Sequence, residues 1–350
     1  MCFAGSRGIG MRRRRFISLL GGTAVAQTFA PRIARAQTTE LKMALNVQQD
    51  TAWGRAAQRF ADAVKYRTQG RIQIRNYFEG QLFAGRQMTE FSLLQQGVAD
   101  FSIGSTVNWS PHVKELNLFG LPFMFPSYAA LDAVQTGEPG KRLFNVMEQT
   151  GVVPIAWGEN GFREVTNSKR PIRQPEDFQG LNIRVAGSPI YIEIFQALGA
   201  NPVAMNFDQA LVAFQLGTVD GQENPIALIL PTKIWQVHKY VTLWGYSIDP
   251  LILAANAKTW ASLGRDDQNS VRKAGEVVMS LQKDEAREAP GRPEKLLELL
   301  QDMYGMEVTR LSPNEIEAFR RRTRPVYDKW AETIGTGLVS SVEKIVQDSK

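Results

Sequence analysis

The 350-residue chain has a single cysteine, Cys2, and only two histidines, His112 and His238. One thiol excludes a disulfide framework and a cysteine-ligated metal. Two isolated histidines provide neither a zinc pattern nor a Ser-His-Asp arrangement, and both read as structural or exposed. No G-x-S-x-G, P-loop or dinucleotide fingerprint follows a strand pattern. Residues 37–350 contain no apolar run near the roughly 20 residues that a membrane-spanning helix needs. The sequence therefore implies no metal, no cofactor and little means of catalysis.

Acidic residues are also missing from one place: residues 1–36 hold seven arginines and no Asp or Glu. Without them the overall charge of +6 becomes 34 basic against 35 acidic groups over residues 37–350. Nucleic-acid binding thus loses its electrostatic basis. The cluster of Arg320, Arg321, Arg322 and Arg324 lies at helical spacing and reads as a solvated face or part of a docking surface.

The arginine-rich start has the parts of an export signal. Arg12 to Arg15 precede an apolar stretch over residues 16–26, and Ala34-Arg35-Ala36 is an A-x-A cleavage site. Two arginines, one residue and then Phe16-Ile17 match the twin-arginine pattern. The reading is a twin-arginine-type signal peptide over residues 1–36, cleaved after Ala36. The exported chain would be soluble in the periplasm and carry no lipid anchor, since Cys2 lies upstream of the cut.

With 43% hydrophobic and 22% charged residues, the 350-residue chain suits a globular protein, and its length suits two domains. Short apolar strands alternate with helical patterns, which predicts α/β architecture. Strands are expected at residues 41–47, 71–78, 100–104, 152–157, 181–185 and 239–246. Helices are expected from Trp53 to a stop at Gly70, over 86–96, and over 265–289, 293–303 and 313–348. A weak repeat joins the Gly70 strand, a helix and Gln95-x-Gly97-x-x-Asp100 to the Gly180 strand, a helix and Gln215-x-Gly217-x-x-Asp220. Two similar lobes with a crevice at the carboxyl ends of their strands follow, with hinge closure on a ligand.

Chemistry concentrates in residues 158–225. Arg163 follows the strand expected to end at Trp157, which puts it near the crevice. Arg184 alternates with Ile183 and Val185 in a strand whose faces should both be covered. A buried guanidinium there needs an anionic partner, either a ligand carboxylate or an internal Asp or Glu. Residues 217–225 read as a turn-rich connection in which Asn224, held extended by Pro225, offers its amide. Phe207, just before a helix, offers an apolar wall.

Five ordered blocks resemble one family: Gly161-Phe-Arg163, N-S-K-R-P-I at 167–172, D-F-Q-G-L-N-I-R-V at 177–185, L-G-A-N-P at 198–202 and G-T-V-D-G-Q-E-N-P at 217–225. They are similar to the DctP family, the periplasmic solute-binding subunits of tripartite ATP-independent periplasmic (TRAP) transporters. The resemblance implies a two-lobed periplasmic-binding-protein fold, type II-like, with long C-terminal helices. It further implies a non-enzymatic, monomeric protein that captures an organic acid and delivers it to the small and large membrane subunits of a TRAP permease. Lobe I would be 38–160 plus about 248–289, and lobe II 161–247 plus about 290–345.

By the same resemblance Arg184 holds the ligand carboxylate, Arg163 is the second arginine, Asn224 a polar contact and Phe207 the pocket aromatic. Ser105, Asn108 and Trp109 occupy the place of the first lobe's contacts. Trp53, Trp109 and Trp157 are candidates to stack on a sugar or aromatic ring. Ser105 stands where sialic-acid binders carry an acid. Sialic acid is therefore disfavoured; a sugar acid, an aromatic acid and a short dicarboxylate stay open. The rival readings are a binding protein of an ABC importer and an exported α/β hydrolase or isomerase.

Overall fold

The computed structural model describes residues 38–288 and 293–349. The export-segment reading, with Cys2 and the cut after Ala36, lies outside them. β1 (Thr39–Ala44) leads to α1 (Ala52–Arg67), where Thr51 Oγ1 accepts from Gly54 N at 3.0 Å. Trp53, Ala57, Phe60 and Val64 form the buried stripe of α1. Left-handed Gly70 (φ 81°) turns the chain into β2 (Ile72–Tyr77). α2 (Glu90–Gln96) ends at left-handed Gly97 (φ 80°), and β3 (Phe101–Ser105) runs straight into α3 (Thr106–Trp109). There Ser105 Oγ caps the helix by accepting from Val107 N.

α4 (Tyr128–Thr136), α5 (Glu138–Gln149) and the long β4 (Val152–Asn167) follow. The second half runs β5 (Asn182–Val185), α6 (Pro189–Ala197), β6 (Asn201–Ala204), α7 (Phe207–Gln215) and β7 (Gly221–Asn224). The long β8 (Tyr240–Asn256) comes next, then α8 (Ala257–Ser262), α9 (Arg265–Glu288), α10 (Pro293–Asp302), β9 (Glu307–Arg310), α11 (Pro313–Ile334) and α12 (Thr336–Asp348). Among the described residues no helix is long and apolar enough to cross a membrane.

The strand order is β2-β1-β3-β8-β4-β7-β5-β6, with β9 beside β8. β2-β1-β3 and β7-β5-β6 are parallel sets. The antiparallel pair β4 and β8 joins them: β3 pairs the end of β8 at residues 251–255, and β7 pairs the end of β4 at 164–167. Between these stretches the β4–β8 register slips at Glu159/Gly161 and at Arg163/Val165. Such bulges bend and twist a strand pair, and here they fall where the sheet passes from one half to the other.

Three expectations need correction. The strand at 152–157 does not end at Trp157, nor the one at 239–246 at Tyr246; both continue, because the irregularities at Glu159/Gly161 and Arg163/Val165 are absorbed as bulges within one strand pair. Gly161 (φ 120°) and Gly245 (φ 53°) take backbone angles that other residues resist. The helix expected over 313–348 is broken at Gly335 (φ 116°).

The repeat is real but shifted. Gly97 and Gly217 (φ 67°) both end helices left-handed. Asp100 Oδ2 accepts from Lys42 N at 2.8 Å, and Asp220 Oδ2 from Asn182 N at 2.8 Å. Each Asp thus ties the strand that follows it to a backbone N–H of the neighbouring strand. By sheet order, however, the counterpart of β5 is β1, and the Gly70 strand β2 corresponds to β6.

Candidate functional site

A cavity of about 190 Å³ opens between the two halves, and its lining includes Ser105, Asn108, Arg163, Arg184, Phe207 and Asn224. These come from the carboxyl ends of β3, β5 and β7, the first residue of α7, α3 and the bulged part of β4. Trp53, Gln87, Asn46, Asn160 and Asp249 complete much of the wall.

The two arginines are 2% and 1% exposed, yet they differ in kind. Arg163 is paired with two internal acids. Its Nε and Nη2 donate to the Glu223 carboxylate in a fork, Nη2 also to Glu223 O and Asn224 Oδ1, and Nη1 to Asp249 Oδ2 at 2.8 Å. Burial acts against the charge, but the Glu223 and Asp249 carboxylates outweigh it and hold the guanidinium protonated, well above its usual pKa. Tyr246 Oη donates to Glu223 at 2.9 Å, and Asp249 also accepts from Ser105, Thr106 and Asn160. Arg163 is thus the centre of a buried ionic cluster inside β4, which corrects its expected place at a strand end.

Arg184 forms no ion pair among the described residues. Nε and Nη2 donate to Met205 O at 3.1 and 2.9 Å, and Nη2 donates to Gln87 Oε1 at 3.2 Å. Nη1 makes no hydrogen bond among the described residues, and the guanidinium lies 5.4 Å from the centre of the Phe207 ring. Burial lowers its pKa to about 10, so it stays charged at neutral pH. The cavity wall therefore presents a buried cation with a donor to spare, which is a receptor for an anion.

A model of the bacterial extracellular solute-binding protein family 7, DctP, matches residues 43–333. The chain belongs to that family. A TRAP periplasmic solute-binding protein from Ralstonia eutropha H16, solved with bound (S)-2-acetolactate, is 48% identical. The match covers 88% of this chain and 99% of that one, with a TM-score of 0.86. The sugar acid binding protein DctPAm from Advenella mimigardefordensis, solved with galactonate, is 27% identical over 90% and 99% of the two chains, with a TM-score of 0.84. The C4-dicarboxylate-binding periplasmic protein DctP of Rhodobacter capsulatus is 29% identical over 95% of this chain and 98% of its own. This chain is accordingly a two-lobed solute-binding protein, of a family whose members are periplasmic, and not an enzyme. The ABC-importer and exported-enzyme readings are set aside.

Trp109 and Trp157 are not part of this cavity. The Trp109 indole is buried against Gly104, where an added Cβ would lie 1.9 Å from the ring, and its Nε1 donates to Glu90 at 3.2 Å. Trp157 stacks on Phe144 at 4.6 Å and meets Phe119 edge-on. Each packs against aromatic neighbours instead. Trp53 does line the cavity, though its Nε1 is committed to Ile103 O.

Of the histidines, His112 is exposed against Phe91, whereas His238 is buried beside Thr166, and burial pushes its pKa down to about 3. No group of three or more His, Cys, Asp or Glu among the described residues is placed to hold a metal.

Sequence reasoning missed Gln87, Asp249 and the strand character of β7. Gly221–Asn224 is polar throughout because Glu223 and Asn224 serve Arg163 and each other's neighbours, so no apolar alternation marks it. Asp249 sits in β8 with no signal around it beyond Pro250.

Proposed function

We propose that the ligand is a small 2-hydroxy or 2-oxo carboxylate whose acid group binds Arg184, as part of delivery to the small and large membrane subunits of a TRAP permease. The observation that supports this most is the buried Arg184 charge, unpaired among the described residues, at the wall of the cavity. Phe207 covers the guanidinium, and Asn224, Ser105 and Asn108 supply polar contacts. Asn46 Oδ1, buried without a hydrogen-bond partner and on the same cavity, is the acceptor for a ligand hydroxyl. Arg163 acts mainly through Glu223 and Asp249, with one Nη1 proton left for the ligand. The similarity to the acetolactate-bound protein at 48% identity favours a short, branched acid over a six-carbon aldonate.

In this reading the chain is exported by its twin-arginine signal, cleaved after Ala36 and active as a monomer. Residues 38–160 with about 248–289, and 161–247 with about 290–345, form the two lobes that close about β4 and β8. A thermal-shift panel of acids of three to six carbons, with their neutral amides, tests the ligand class on protein refolded free of ligand. Ligand at 100 times its Kd adds roughly 2.7 kcal/mol of stability. Short hydroxy and oxo acids should shift the midpoint, their amides should not, and Arg184→Ala should abolish the shift. Equal shifts with neutral sugars, or shifts that persist in Arg184→Ala, refute the reading.

A further inference from the structure

Gln87 opens the turn Gln87–Thr89 ahead of α2, and its carboxamide reaches across the cavity in three directions. Oε1 accepts from Arg184 Nη2 at 3.2 Å and from Phe207 N at 3.0 Å; Nε2 donates to Asn108 Oδ1 at 2.7 Å. The segment that carries it lies directly on the other half. A Cβ added to left-handed Gly85 would stand 2.9 Å from Asp208 Oδ2, and one on Gly187 would stand 3.5 Å from Met88.

The donor inventory of Arg184 gives this contact its meaning. A guanidinium has five N–H groups, one on Nε and two on each terminal nitrogen. Nε donates to Met205 O, and the Nη2 protons go to Met205 O and Gln87 Oε1. Only Nη1 remains for an incoming anion. A two-point clamp on a carboxylate through both terminal nitrogens would need the proton that Gln87 holds. Glutamine is also suited to the position electrostatically. It satisfies the donor without neutralising the charge, so Arg184 still attracts an anion; a glutamate there would pair with it outright.

We propose that Gln87 is a specificity-determining residue: its carboxamide closes the cavity at Arg184, admitting short carboxylates that bond Nη1 and excluding longer acids that would have to displace it. This rests on the carboxylate reading of Arg184 above. It goes further by naming what limits ligand length and by assigning that limit to the first half of the chain.

The experiment measures Kd by calorimetry for (S)-2-acetolactate and galactonate against wild type, Gln87→Ala, Gln87→Asn, Gln87→Glu and Arg184→Ala, each refolded free of ligand. Gln87→Ala and the shorter Gln87→Asn are expected to shift the preference at least tenfold toward the six-carbon acid. Gln87→Glu is expected to lose at least 100-fold in affinity for either acid while its ligand-free unfolding midpoint rises. A preference ratio within about twofold of wild type in both shortened variants overturns the inference, as does full affinity in Gln87→Glu. Arg184→Ala separates the two levels. Lost binding there with unchanged selectivity in the Gln87 variants overturns this inference alone; retained binding there overturns the carboxylate reading and this inference with it.

Discussion

Replacing each buried arginine with methionine should have opposite effects on the ligand-free protein, although the two are equally buried and face one cavity. The pKa of Arg184 falls from 12.5 to about 10 through burial. At about 1.4 kcal/mol per unit, its charged form carries a penalty of roughly 3 kcal/mol. Methionine removes that penalty and leaves Met205 O without donors, which costs about 1–3 kcal/mol. Gln87 Oε1 keeps Phe207 N. Arg184→Met should therefore change ligand-free stability by at most about 2 kcal/mol, with the variant the more stable partner. At roughly 2 cal/mol/K of unfolding entropy per residue, that is a rise of about 3 °C or less.

Arg163→Met does the reverse. It strands Glu223 and Asp249 as buried carboxylates, and breaking a buried pair in this way costs roughly 3–5 kcal/mol. Urea unfolding of ligand-free protein gives both values, and calorimetry on the same samples gives binding, which Arg184→Met should reduce by a factor of at least about 100, or about 2.7 kcal/mol. Equal destabilisation by the two substitutions would refute the argument, since it would mean that Arg184 too is neutralised from within.

Two further outcomes follow from packing and titration. Burial pushes the Glu90 carboxyl up from 4.5 to about 8, against hydrogen bonds from Ser102 and Trp109. Ser102 Oγ lies 2.9 Å from both Ala44 O and Glu90 Oε1, an arrangement that suits a neutral acid donating to Ser102 while Ser102 donates to Ala44. Because the folded pKa is the higher one, this group's contribution is complete below about 4.5 and is lost as pH rises to about 8, by roughly 1.4 kcal/mol per unit. Glu90→Gln, isosteric with the neutral acid, should match wild type near pH 5 and exceed it by pH 8; a difference in melting temperature that stays flat over that range contradicts the assignment. Gly104→Ala should destabilise by about 1–3 kcal/mol or more, because its methyl group meets the Trp109 ring and a rigid indole cannot yield; a chemical denaturation midpoint unchanged from wild type would disprove this.

Much of the site was legible before the fold. Arg184 stood out because alternation with Ile183 and Val185 in a short, covered strand buries whatever occupies its position, and because 177–185 is one of the blocks that carry the family resemblance. The helix that starts near Trp53 and the helix-ending glycines after α2 and α7 were equally readable, since all depend on neighbours within a few positions. The long strands were not, because a bulge and a turn use the same glycines and differ only in what lies alongside. β7 escaped for a related reason: its polar side chains look like loop chemistry until Arg163 is placed between them.

What the sequence determined by itself is therefore local and compositional: an α/β chain, two similar halves, and a buried arginine in need of an anion. Tertiary structure decided how each buried arginine is met. Arg163 finds Glu223 and Asp249, 60 and 86 residues away, and is neutralised by them. Arg184 meets Met205 O and Gln87, which bond it without cancelling its charge. Electrostatic compensation acts through space over a few ångströms, and which charges come that close is set by strand order and register, not by spacing along the chain.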